Sequence, residues 1–462
     1  MARTAALRKL VLSRGVGLFT NSDSEIIAQM LARPHDPAEA AAFAAQVAPA
    51  AWGGEGEDGG EAGEGGGAGG GAGGEPPLWA AWVARMAAFM RDCEGAYSLT
   101  ALTKDAVYGI RDPYGLRPLC VGKKLLEDGS WSYHLSSESC ALATVGATLI
   151  RDVAPGEIVR LSSKGGFRAW RPISHPPALG GSGALALAPP RPLAPLPPHN
   201  FCIFEYVYFA RPDSKLEGRH VHAVRTRLGQ ELAREAPPLP SVDLVSGVPD
   251  SSVAAAIGYA NSCKLPFSEV FCKNRYIGRT FIKPDDTLRK NAIQLKYNPL
   301  PDVLAGKSII LVDDSLVRGN TLRQLVPLLR GAGAKEVHVR ISSPPIRHPC
   351  YYGERAAAKE PHAPLALTHA RATHPPSSRA GVDIGSHEEL IITHVPTVEG
   401  LREYIGADSL AYLSFDGMVA AVEGGVSDER KHCTGCFTGE YPIEHDQAGS
   451  SPAVSPRPLP SP

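Results

Sequence analysis

Two adjacent carboxylates, Asp313 and Asp314, sit in the run IILVDDSLVRGNT from Ile309 to Thr321. The apolar residues before them read as a buried parallel strand that ends on charge. Ser315, Leu316, Val317, Arg318, Gly319, Asn320 and Thr321 follow as a turn, and LRQLVPLLRGAG beyond it reads as a helix. Ligands of open α/β sheets bind at such strand ends. A helix start with small residues offers free backbone N–H groups to a phosphate. The carboxylates would repel that phosphate unless they gripped ribose hydroxyls or a divalent cation. The run therefore asks for a ligand with a sugar, a phosphate and Mg²⁺. A bare Asp-Asp after a strand is more simply a solvated pair; the whole run favours the ligand site. It is no Walker loop, which needs GxxxxGK[ST], and no such run occurs in the chain.

Further candidates lie nearby. GVPDSS, Gly247 to Ser252, follows the strand candidate VDLVSGV. Its Asp250, Ser251 and Ser252 can present hydroxyls and N–H groups to a pyrophosphate, although alone the turn is better read as a helix N-cap. KNRYIGRTFIKP, Lys273 to Pro284, sets Lys273, Arg275, Arg279 and Lys283 among Tyr276, Gly278 and Phe281. That density of cations suits a mobile lid over a polyanion, and otherwise a solvated basic loop. The nine cysteines make no disulfide scaffold in a chain this long. Cys433-Thr-Gly-Cys436 points instead to metal or redox chemistry in a reducing compartment.

The elements that must position these residues fall into two textures. Residues 78–92, LWAAWVARMAAFMRD, have a helical pattern, as do the residues after the NSDSE cap at Asn21 to Glu25. Strand candidates AYSLTAL, AVYGI, PLCVG, WSYHLSS and GEIVRLS follow, with turn signals such as DPYG between them. This is an α+β pattern. From Phe201 onward, VDLVSGV, FSEVF, SIILVDD, EVHVRIS and SLAYLS alternate with helical stretches. That alternation is the mark of a parallel sheet with crossovers. Gly/Glu low complexity at 52–77 and a Pro/Ser-rich tail from about Asp446 are expected to be disordered.

A chain of 462 residues suggests about two or three domains. Lys plus Arg is 47 and Asp plus Glu is 48, which argues against a dedicated nucleic-acid or acidic-membrane binder. No apolar run reaches membrane-spanning length. The basic start, MARTAALRKLVLSRGVGLF, has the look of an organelle transit peptide.

The run Ile309 to Thr321 resembles the phosphoribosyl-pyrophosphate (PRPP) motif of type I phosphoribosyltransferases. Four other runs narrow the resemblance to one family, the glutamine PRPP amidotransferases, or amidophosphoribosyltransferases. These are FCIFEYVYFARPDS (Phe201 to Ser214), KNRYIGRTFI, SSPPIRHPC (Ser342 to Cys350) and CTGCFTGEYP (Cys433 to Pro442), all in family order. RDPYGLRPL (Arg111 to Leu119) and SSESCAL (Ser136 to Leu142) match further family segments. The resemblance covers residues 80–165 and 200–442 apart from insertions.

The resemblance implies an N-terminal-nucleophile hydrolase (glutaminase) remnant of α+β type over residues 1–170, with the insert 52–77. A linker at 171–199 leads to an α/β type I phosphoribosyltransferase domain with a parallel sheet at 200–425. An Fe–S ligand segment at 426–445 and the tail 446–462 complete the chain. The implied reaction makes 5-phosphoribosylamine from PRPP and glutamine or ammonia, the first committed step of purine synthesis. Asp313, Asp314, Lys273 and Arg279 would serve catalysis. Ser315, Leu316, Val317, Arg318, Gly319, Asn320, Thr321, Asp250 and Ser251 would bind PRPP. Ser251, Asp313 and Asp314 would hold Mg²⁺. Cys202, Cys350, Cys433 and Cys436 match the ligands of a [4Fe–4S] cluster, with a Cys₄ zinc site as the physical rival. Purine nucleotides as feedback inhibitors, a homo-oligomer and a cytoplasmic site (a plastid as the alternative) complete the expectation, with no nucleic-acid or membrane partner.

In the family a terminal Cys attacks the glutamine amide, an Arg clamps the carboxylate and an Asn-Gly pair forms the oxyanion hole. Here the first cysteine is Cys93 and no HNG-type element occurs. Asp23 matches the residue that binds the glutamine amino group, and fits a helix cap equally well. The expectation is that about the first hundred residues of the usual domain are missing, through a truncated gene model or in a glutaminase-dead protein. The mixed Ala/His/Pro segment 354–380 has the texture of a retained intron and favours the first. The basic start then belongs to an internal helix, and ammonia rather than glutamine is the expected donor. A non-catalytic PRPP-binding regulator and a free-base phosphoribosyltransferase are the rivals; the lid run, the cluster cysteines and the N-terminal half favour the amidotransferase.

Overall fold

Apolar residues at three- and four-residue spacing make the helices of the first unit, which spans residues 1–201; the second spans 202–462. The computed structural model describes residues 4–13, 18, 23–32, 78–93, 95–162, 166–171, 199–274, 276, 296–352, 387–424 and 431–443. The segments 52–77, 172–198, 354–380 and 446–462, and Arg275, Arg279 and Lys283, lie outside them.

In the first unit, helices α1 (Thr4–Ser13), α2 (Asp23–Ala32) and α3 (Leu78–Asp92) share one core. Leu7, Val11, Ile26, Met30, Val83 and Met86 pack there with Tyr108 and Ile110. The strands are β1 (Ser98–Leu102), β2 (Val107–Arg111), β3 (Cys120–Leu125), β4 (Trp131–Ser136), β5 (Thr148–Asp152), β6 (Ile158–Ser162) and β7 (Gly166–Trp170), with the short helix α4 (Ser139–Thr144) between β4 and β5. They form two antiparallel sheets, β1-β2-β6-β7 and β4-β3-β5. The expected DPYG turn is built on Asp112, whose carboxylate accepts from the N–H groups of Tyr114, Leu116 and Arg117 at 3.1, 3.0 and 3.1 Å. β5 and β7 were not among the sequence candidates. Both are edge strands with no fully buried residue, so neither carries an apolar alternation.

The second unit opens with β8 (Asn200–Cys202), of which Cys202 is its first residue, and a π-helical turn at Glu205–Phe209. A two-residue pair, β9 (Lys215–Leu216) and β10 (Arg219–His220), leads into α5 (Val221–Glu235). Then come β11 (Leu244–Gly247), α6 (Val253–Cys263), β12 (Phe271–Lys273), β13 (Tyr297–Pro299), β14 (Ser308–Asp313), α7 (Asn320–Gly331) and β15 (Glu336–Ile341). α8 (Val398–Ile405), β16 (Ser409–Tyr412), α9 (Phe415–Glu423), β17 (Lys431–Cys433) and α10 (Gly435–Thr438) close it.

β11, β14, β15 and β16 form an all-parallel sheet in that order. All six residues of β14 are buried, as a central strand covered on both faces requires. Leu322, Leu325, Val326 and Leu329 give α7 its buried stripe.

FSEVF is a correction. It forms no strand of the parallel sheet beyond a single bridge from Phe267 to Val245. Its end instead starts β12, paired antiparallel with β13. The ladder breaks at a diverted hydrogen bond: the Val270 N–H donates to the Ser246 side-chain hydroxyl at 3.2 Å and not to a backbone carbonyl of β11.

Helices α5 and α6 touch backbone to backbone. A Cβ on Gly229 would fall into the Ala255 carbonyl, and one on Gly258 into the Thr226 carbonyl. Gly258→Ala is therefore expected to destabilise the second unit by about 1–3 kcal/mol or more through overpacking. Thermal melting checks this; an unchanged transition would show that the helices can part without loss.

Candidate PRPP site and cysteine cluster

Asp313 ends β14 and Asp314 begins the turn after it, so the parallel sheet delivers both to its carboxyl edge. They are 7% and 6% exposed. The loop after β11, next to β14 in the sheet, meets them there. Ser251 Oγ donates to Asp314 Oδ2 at 2.5 Å, and Ser252 Oγ donates to Asp313 Oδ1 at 3.0 Å. Ser315 Oγ donates to Asp314 Oδ1 at 2.6 Å, and the Asp314 N–H caps Asp313 Oδ1 at 2.9 Å. Three serines and one N–H therefore orient the pair.

Burial, and then the charge of Asp314, holds Asp313 well above the usual carboxylate range. Burial also raises Asp314, against the hydrogen bonds of Ser251 and Ser315 and the charge of Arg225, which lower it. Two buried like charges side by side need a cation or proton-donating partners. Their donor set, two carboxylates with a serine hydroxyl alongside, is that of a hard divalent cation that keeps its water. The sign of the pH dependence follows. The folded chain holds these protons more tightly than the unfolded chain does. The linked stability is full below the ordinary carboxylate pKa and is lost as pH rises through the raised folded value. Without ligand, the native chain is expected to lose melting temperature over that range relative to Asp313→Asn with Asp314→Asn. Parallel pH profiles of the two would contradict the electrostatic account.

The turn Ser315 to Thr321 runs from β14 into α7. Gly319 precedes the helix at φ +71°, and a Cβ there would meet the Tyr404 ring at 3.0 Å. Only glycine enters that conformation without strain, and a helix start such as that of α7 offers N–H groups to a phosphate. Leu316 is buried in the core, so its side chain packs there and only its backbone can serve a ligand. The Val317 carbonyl accepts from the Ile391 N–H at 2.9 Å, and Arg318 pairs with Glu389 at 3.3 Å.

Lys273, at the end of β12, pairs with Asp250. Arg279 lies outside the described residues; Asp23 is the first residue of α2, and its side chain lies outside them too. Sequence reasoning missed two contributors. Ser252 was noted in its turn but not assigned to the acid pair. Arg225 is 2% exposed and donates to the carbonyls of Tyr206 and Ala210, both at 2.8 Å. Its signal was a cation on the apolar stripe of α5, among Val221, Val224, Leu228 and Leu232.

The four cysteines come together within the second unit. The Cys436 carbonyl accepts from the N–H groups of Arg347 and His348 at 3.0 and 3.1 Å, which lays the segment ending at Cys350 against α10. The Ile203 N–H donates to the Cys433 carbonyl at 3.2 Å, which brings Cys202 alongside β17. The Tyr441 hydroxyl bonds the Pro349 carbonyl. Burial pushes the Cys436 thiol up, and the neighbouring Cys202, Cys350 and Cys433 push it further. Among the described residues, no three His, Cys, Asp or Glu side chains are drawn tightly enough together to hold a bare ion.

Residues 239–356 match the phosphoribosyl transferase domain family. The amidophosphoribosyltransferase of Rattus norvegicus is 37% identical over 96% of this chain and 75% of its own length. That of Drosophila melanogaster is 39% identical over 96% and 68%. The glutamine PRPP amidotransferase of B. subtilis, solved with ADP and GMP, superposes with a TM-score of 0.68 at 32% identity. It covers 97% of this chain and 76% of its own.

Proposed function

The chain belongs to the amidophosphoribosyltransferases, and on that premise we propose how its second unit converts PRPP to 5-phosphoribosylamine. The enzyme is a pentosyltransferase, and its family name implies purine biosynthesis. The observation that carries the proposal is the clasp of Ser251 and Ser252 on Asp314 and Asp313. It joins a pyrophosphate loop to a ribose-binding acid pair at one sheet edge.

Asp313 and Asp314 take the ribose hydroxyls and, with Ser251, would hold Mg²⁺. The N–H groups of Ser315 to Thr321 take the 5-phosphate. Asp250 and Lys273 stand at the pyrophosphate, and Arg279 brings a further cation. The bond from C1 to the pyrophosphate oxygen breaks with its electron pair leaving on pyrophosphate. The lone pair of ammonia forms the new C1–N bond, and one ammonium proton is lost to solvent. The buried carboxylates oppose the positive charge that develops on the ribose. When bound, Mg²⁺ supplies charge to the departing pyrophosphate.

The first unit, with its helices and two antiparallel sheets, supports a partial glutaminase domain, a remnant of the N-terminal-nucleophile type, in which Asp23 would bind the glutamine amino group. Cys202, Cys350, Cys433 and Cys436 would hold a [4Fe–4S] cluster. Purine nucleotides, as in the B. subtilis structure with ADP and GMP, act as feedback ligands on a cytoplasmic homo-oligomer. No described helix is long and apolar enough to cross a membrane.

Ser251→Ala tests the clasp with ammonia as sole donor. Losing one charge-assisted hydrogen bond should raise the Mg²⁺ concentration for half-maximal pyrophosphate release about tenfold. An unchanged Mg²⁺ requirement would remove Ser251 from the site.

A further inference from the structure

β12 and β13 are the two ends of one excursion of the chain, and their register sets Lys273 opposite Tyr297. Both side chains reach the loop after β11. Lys273 bonds the Asp250 carboxylate. The Tyr297 hydroxyl donates to the Pro249 carbonyl at 3.2 Å. The next two residues of that loop, Ser251 and Ser252, carry the bonds to Asp314 and Asp313. One residue pair thus grips the loop on one side, and the acid pair grips it on the other.

The two grips differ in kind. In the Lys273–Asp250 pair, Lys273 is 25% and Asp250 74% exposed, so both can turn to a ligand. Tyr297 is 5% exposed, and its ring packs on Phe271 at 5.9 Å. Burial, and then the charge of Asp313, keeps its phenol protonated far above its ordinary value. It is a permanent neutral donor.

We propose that Tyr297 is a positioning residue for the pyrophosphate end of PRPP. Its hydroxyl fixes the Pro249 carbonyl and so sets Ser251 and Ser252 on the acid pair. Lys273 is then free to leave Asp250 for the ligand while the loop keeps its place. This rests on the PRPP reading above.

Tyr297→Phe keeps the ring packing and removes only the tether. In the ammonia-dependent reaction, KM for PRPP and the inhibition constant of added pyrophosphate should rise together, about three- to tenfold. KM for ammonia and the melting temperature should stay at native values, which a merely structural role would not allow. Native values of both the PRPP KM and the pyrophosphate constant would overturn the proposal, as would an equal rise in the ammonia KM. Asp313→Asn with Asp314→Asn, run in parallel, separates the two levels. Retained turnover there sinks the PRPP reading itself. Its loss, beside a native Tyr297→Phe enzyme, sinks only the role of Tyr297.

Discussion

Replacing Asp313 and Asp314 together by asparagine should lower ammonia-dependent pyrophosphate release from PRPP by on the order of a thousandfold or more. The same change should raise the melting temperature of the ligand-free protein, by about 2–4 °C. Both effects have one cause. The pair is buried at the end of β14 and held by three serines; burial raises both carboxyls, and the charge of Asp314 raises Asp313 further. An ionised pair of this kind costs stability in the empty site and contributes binding energy when a cation and ribose hydroxyls arrive. Asparagine keeps the shape and most of the hydrogen bonds but removes the charge. A variant that loses activity and also melts lower would point to simple damage. A variant that keeps native turnover would place the chemistry elsewhere.

The second large effect concerns the cysteines. Protein purified without oxygen should be brown and contain iron and acid-labile sulfide. Cys436→Ser should lose most of that iron and with it much of the thermal stability of the second unit. The expectation follows from position. Cys436 lies on α10, its carbonyl ties it to the segment ending at Cys350, and β17 ties Cys433 to the start of the unit at Cys202. Three distant stretches of chain meet at these four residues, so whatever they bind cross-links them, and binding free energy becomes folding free energy. Stoichiometric zinc without iron would contradict the cluster, and so would a native melting curve for the iron-free Cys436→Ser protein.

Much of this was legible in the sequence because the strongest patterns were local. SIILVD has no polar interruption and is the fully buried strand β14. Residues 78–92 repeat apolar positions at helical spacing and form α3. The acid pair was legible for the same reason: charge at the end of an apolar run has nowhere to go but a site or solvent. The partners of that pair were not legible. Ser252 and Arg225 meet it only through the sheet order and the crossing of α5, across sequence separations that no local pattern encodes. The β5 and β7 edges escaped because half-exposed strands have weak alternation. FSEVF misled because its composition is that of a strand while its backbone bond is taken by the Ser246 side chain. The role of Tyr297 was invisible too, since a buried aromatic near a strand start reads as core until its hydroxyl is seen on Pro249.

The central claim, that Asp313 and Asp314 with the loops around them bind PRPP through a divalent cation, is tested most directly by calorimetric titration of PRPP into the intact chain. Titrations with and without Mg²⁺ would be compared for the native protein and the Asp313→Asn, Asp314→Asn variant. The expected result is native binding that tightens at least about tenfold with Mg²⁺, and variant binding that is weak and indifferent to the metal. Native affinity that ignores Mg²⁺, or a variant that binds as the native protein does, would contradict it.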